Sequence, residues 1–129
     1  MDKAQALNSF WSGFGLDAID ELSSYDEKTM EELNIHYPYI SYEAAFSSVD
    51  EPLMLGADLW YQSVSWEEIT KKAEEIEAYI GLGGRLIRYD GGGIWITRAS
   101  VFSRRMAEET GNDNIRRVHL NINAEYLSA

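Results

Sequence analysis

Apolar residues at spacings of three and four open the chain. Ala4, Leu7, Phe10, Trp11 and Phe14 fall on one helical stripe, with Asp2 placed to cap it and Gly13 and Gly15 to end it. From Leu16 to Tyr25 glycine, aspartate and serine take over, and residues 17–32 hold seven acids against Lys28 alone. That stretch reads as an exposed acidic loop with a short helix over Glu27–Leu33. After Pro38, Ile40, Tyr42, Ala44 and Phe46 alternate with Tyr39, Ser41, Glu43 and Ala45, the period of a half-buried strand. A second strand runs from Leu53 to Tyr61, with Leu53, Leu55, Ala57, Leu59 and Tyr61 on one face and Met54, Gly56, Asp58 and Trp60 on the other. The short link over residues 47–52 predicts a hairpin.

Ser65-Trp66-Glu67-Glu68 has the spacing of a capping box, and the helix it opens runs to Ile80, burying Trp66, Ile69, Ala73, Ile76 and Ile80 before Gly81. Arg85–Tyr89 and Ile94–Arg98 flank Asp90-Gly91, a hairpin signal. Val101–Gly111 reads as a connection with one helical turn around Ser103–Glu109, and Asn112–Asn114 as a turn. The last strand alternates most cleanly: Val118, Leu120, Ile122, Ala124 and Tyr126 against Arg117, His119, Asn121, Asn123 and Glu125. The expected fold is one α+β domain over 1–129, with a mixed, largely antiparallel sheet of about five strands packed against two helices. Leu120 and Ile122 are expected beneath the helix that starts at Trp66.

Composition restricts the class further. Of 129 residues, 45% are apolar and 26% charged, which excludes an intrinsically disordered chain. No run of 18 apolar residues occurs, so no membrane span is expected. Met1–Gln5 lacks the pattern of a signal peptide, and the absence of cysteine removes disulfides and thiolate chemistry, which together fit a cytoplasmic origin. The net charge of −11 has the wrong sign for direct nucleic-acid binding. It is also uneven: residues 1–80 carry 17 acids and four bases, and residues 81–129 carry five acids and seven arginines. Such asymmetry permits head-to-tail attraction between copies, although solvated faces produce the same pattern.

Candidate chemistry is sparse. His36 and His119 stand alone, so neither supports a metal site. Gly81–Gly84 follows a helix and Gly91–Gly93 separates two strands, whereas a phosphate loop follows a strand and opens a helix. No serine lies in a nucleophile motif, and the glutamates at 67, 68, 74, 75 and 77 read as the wet side of a helix, with Glu68 and Lys72 spaced to pair. The expectation is a non-enzyme without catalytic, cofactor or metal residues. Trp60 and Trp95 lie between residues facing the other way, so their cover is long side chains or a neighbouring subunit. Arg104, Arg105, Arg116 and Arg117 cluster near the last loop, where intrachain partners and the acidic 17–32 stretch of a neighbour are equally open. These six residues form the candidate interface.

Several stretches carry a resemblance: Pro38-Tyr39-Ile40-Ser41-Tyr42-Glu43, Leu59-Trp60-Tyr61-Gln62-Ser63 leading into Ser65-Trp66, and Gly91-Gly92 with Ile94-Trp95-Ile96. Phe102 through Arg105-Met106, Arg116-Arg117 before Leu120-Asn121-Ile122, and Glu125-Tyr126-Leu127 continue it. Over residues 5–128 the chain resembles the tail terminator, or tail-to-head joining (minor capsid), proteins of long-tailed phages and prophages. The resemblance implies a small fold of helices against a sheet and a hexameric ring that caps the tail tube and faces head connector proteins. It further implies a virion protein made in the host bacterial cytoplasm, with no catalytic residues to carry over. A different class, a small binding module holding a peptide or small ligand on an aromatic sheet face, is the alternative.

Overall fold

Helix α1 (Lys3–Ser12) begins where the apolar spacing places it. The Asp2 carboxylate accepts the Gln5 N–H at 2.8 Å, and the Gln5 side chain accepts the Asp2 N–H at 2.9 Å. That reciprocal pair is a capping box, and it satisfies amide donors that the helix itself leaves open. The computed structural model describes residues 1–47, 51–107 and 114–128. Along them follow β1 (Asp17–Asp20), α2 (Glu21–Ser24), α3 (Glu27–Glu32), β2 (Tyr39–Tyr42), β3 (Leu53–Gln62), α4 (Glu67–Ile80), β4 (Arg85–Tyr89), β5 (Gly92–Met106) and β6 (Ile115–Ser128).

The six strands form one sheet in the order β1-β2-β3-β6-β5-β4. Only β1 and β2 run parallel, and every other pairing is antiparallel. The fold is α+β, with one strand more than the sequence predicts. That strand is β1, from the stretch read as an acidic loop. The two short helices after it are capped by the Asp20 and Asp26 side chains. Two of the acids there therefore act as helix caps, which charge counting does not distinguish from a loop.

The expected hairpin of β2 and β3 is present, with Ile40 opposite Leu59 and Tyr42 opposite Ala57. Strand β2 ends at Tyr42, short of Ala44 and Phe46, which lie exposed. The centre of the sheet is the β3–β6 ladder, from Leu53 opposite Ala124 to Gln62 opposite Ile115. Strand β5 is much longer than Ile94–Arg98. It continues through Val101–Met106 as strand, so the expected connection with a helical turn does not form over those residues. Between Arg98 and Ser103 strand β5 takes five steps while β6 takes two, from Ile122 to Leu120. This large bulge breaks the alternation that would have identified the strand. The expected helical residues Glu108 and Glu109, the turn residues Asn112 and Asp113, and Ser48–Asp50 of the first hairpin lie outside the described residues.

Both long helices cover one face of the sheet. Helix α1 lies against β4, β1 and β5, and α4 against β5, β6 and β3. Leu7, Phe10, Trp11, Ile69, Ala73, Ile76 and Ile80 meet Ile40, Leu55, Leu59, Ile94, Ile96, Leu120, Ile122 and Tyr126 in a single buried cluster. Leu120 and Ile122 are fully buried on the face that α4 covers, as expected. The capping box at Ser65 does not form. Trp66 occupies the cap position without a side-chain bond, and the Ser65 hydroxyl accepts the Glu67 N–H at 3.0 Å instead. Lys72 pairs with Glu75 at 3.1 Å rather than with Glu68, and it also donates to the Phe14 carbonyl at 2.7 Å.

Candidate functional site

The second sheet face carries no long helix. Because side chains alternate across a strand, the registers assign to this open face Tyr39 and Ser41, Gly56, Asp58 and Trp60, Arg117, His119 and Asn121, Arg104, Trp95, Leu86 and Arg88. Ile19 falls on the same side and is buried, at the end of the sheet where α2 lies against β1 and β2.

Asp58 organises the middle of this face. Only 7% exposed, it is one of two polar residues buried among those described, the other being Ser41 beside it. Its carboxylate accepts from Arg117 Nε at 3.0 Å and Nη2 at 3.2 Å, a two-pronged contact that matches guanidinium geometry. His119 Nδ1 lies 2.9 Å from the same carboxylate, and His119 Nε2 lies 3.1 Å from Asn121 Oδ1. Asn121 Nδ2 donates to the Val101 carbonyl at 3.2 Å, which turns its oxygen toward the histidine. The ring lies over Gly56, where a Cβ would sit 2.8 Å from His119 Cε1. A strand glycine here makes room for an imidazole.

Tyr39, Trp60 and Arg117 form a stack beside that network. The rings of Tyr39 and Trp60 lie 6.2 Å apart and nearly parallel, and the Arg117 guanidinium sits 5.0 Å from the Trp60 ring centre. Trp60 Nε1 donates to Ser41 Oγ at 2.9 Å. The chain's own side chains therefore engage this tryptophan on several sides. Trp95, 37% exposed, lies opposite Glu125, eight residues along β6 from the Arg117 row that holds Trp60. At about 3.4 Å per residue that is roughly 27 Å. The two tryptophans share a face but do not form one platform.

The four arginines divide between the two faces. Arg104 and Arg117 are on the open side, whereas Arg105 and Arg116 lie on the helix side at the end of the sheet. There they flank Trp66, with guanidinium carbons 4.9 and 5.2 Å from its ring centre. Arg116 also donates to the Val64 carbonyl at 2.7 Å. Intrachain partners thus engage three of the four. Arg104 is exposed, next to His119 in register.

Sequence reasoning missed the Asp58 network. The available signal was an aspartate amid the apolar Leu53–Tyr61 run, because a carboxylate in a central strand needs partners from its neighbours. It also missed a shallow depression of about 350 Å³ at the corner of β4, β5 and the end of β6, lined by Leu86, Arg88, Gly91–Gly93 and Leu127. His36 is exposed and bonded to Asn34 at 2.8 Å. Among the described residues no three metal-binding side chains converge, and no helix is long and apolar enough to cross a membrane. The chain matches no protein-family model, no curated protein and no solved structure.

Proposed function

We propose that this chain is a non-enzymatic structural protein of a phage or prophage virion. In this reading copies form a ring that caps the tail tube and joins tail to head, through contacts with tail-tube and head connector proteins. The observation that carries it is a sheet with long helices packed against it, the architecture that the sequence resemblance implies, here with the helices on one side only. That arrangement leaves the open face and both outer strands, β1 and β4, available to neighbours. The charge asymmetry between residues 1–80 and 81–129 supports contacts between unlike surfaces of identical copies.

Electron microscopy of the purified protein with tail-tube protein tests the reading, alongside mass measured across protein concentration. The expected result is a closed oligomer seated on tube ends and tubes of limited length. Tubes that grow unchecked, with the protein monomeric in both conditions, overturn it.

A further inference from the structure

We propose that copies join head to tail by seating the α2–α3 segment of one copy on the β4–β5 corner of the next, an assignment that rests on the ring reading above. The two surfaces are at opposite ends of the sheet order, beside β1 and on β4. Each presents apolar side chains to solvent. On the segment Leu22 is 78% exposed and Tyr25 77%, although both sit on a chain with a well-filled core. At the corner Leu86 is 42% exposed beside Trp95, and Leu86 lies across Gly93, where a Cβ would come within 2.8 Å of it. The depression of about 350 Å³ there suits one apolar side chain such as Leu22 or Tyr25.

Charge selects this partner for this corner. The 17–32 segment holds seven acids and one lysine. The corner carries Arg88, which makes no ion pair among the described residues, whereas Arg85 turns to the helix side and donates to the Tyr79 carbonyl. Of the nearby acids, Asp90 is held at 3.0 Å by the N-terminal amine and Glu125 lies half-buried beside Trp95. A surface pair on opposite ends of one molecule is heterologous, so each copy gives one and receives the other, and rotation closes the ring. The basic side of the contact is therefore Arg88 rather than Arg105 and Arg116, which stack on Trp66 of their own chain, or Arg85, which stacks on Tyr79.

Sedimentation and mass measurements on full-length variants, with and without tail-tube protein, test the assignment. Arg88→Glu is expected to lose the oligomer, and so is Glu27→Lys/Glu31→Lys, with circular dichroism like the parent's. Tyr25→Ser alters an exposed side chain and is expected to weaken assembly without affecting the fold. Combining the two reversals recreates an attractive pair with exchanged signs and is expected to regain the oligomer. A parent that assembles while Arg88→Glu assembles equally well overturns the surface and leaves the ring standing. Failure of the exchanged-sign variant to reassemble also overturns the pairing. A parent that stays monomeric in every condition overturns both.

Discussion

At the scale of single residues, Asp58 has the largest expected effect. It is buried and shared between Arg117 and His119, so Asp58→Ala leaves two donors without their acceptor. Loss of about 1.5–3 kcal/mol is expected, read as a lower urea midpoint. Gly56→Ala reaches the same network from the other side, since the added methyl meets the imidazole and pushes it away from the carboxylate. Proton shifts of the His119 ring by NMR would register that displacement. Tyr126 gives a pH dependence. Burial, with a smaller contribution from Tyr89, raises its hydroxyl from the ordinary 10.0 to about 12, and burial also raises Tyr42 and Tyr61. A raised folded value favours the protonated phenol, so this stability is complete below pH 10 and falls as pH rises toward 12. Denaturant midpoints from pH 9 to 12 are expected to decline, and Tyr126→Phe to decline less steeply from a slightly lower start. The lower start reflects the lost bond from Tyr126 to the Ala45 carbonyl. An unchanged midpoint across that range would show that the three phenols do not control alkaline stability.

Elements differ in how plainly they are written in the chain. Strand β6 alternates without interruption because one face meets α4 and the other faces the open side, and α4 shows a regular stripe for the same reason. Strand β1 escaped notice because its four residues, Asp17–Asp20, show one buried position and carry helix-capping acid at their end. The second half of β5 was hidden by the bulge at Arg98–Ser103. The Asp58 network was hidden for another reason: alternation says which face a residue takes, but its partners come from β6, about sixty positions away. The turn between α4 and β4 offers a sharp contrast. Gly84 has φ +83°, and an added Cβ would lie 2.6 Å from the Ile96 carbonyl oxygen, whereas nothing lies within 4 Å of one at Gly83. Gly84→Ala is expected to cost about 1–3 kcal/mol. Gly83→Ala is expected to be neutral or to stabilise by about 0.4–1 kcal/mol through the unfolded chain. Thermal melts of the two variants check both, and equal melting temperatures would refute the distinction.

On the scale of the whole molecule, the sheet order separates charge in space. The acid-rich β1–α2–α3 end and the arginine-bearing β4 end are five strand spacings apart, about 24 Å. Exposed charges steer encounter, and apolar contacts hold what has formed. Raising salt from 0.05 to roughly 0.5 M, where screening shortens to a few ångströms, is expected to slow assembly more than it dissolves finished oligomers; light scattering after mixing reads the first and dilution the second. Salt that dissolves formed oligomers as fast as it prevents new ones would place the affinity in the charges. The β3–β6 ladder has another consequence, for biosynthesis. Strand β6 lies at the middle of the sheet yet leaves the ribosome after β1 to β5, and Leu53 must wait for Ala124, 71 positions later. Until then β3 and β5 each have a bare edge facing the same gap, and both long helices have half a sheet to cover. The nascent chain thus remains open along its centre until its last strand arrives, and pulse-labelled chains arrested before Ile115 should be cut by protease where the released protein resists.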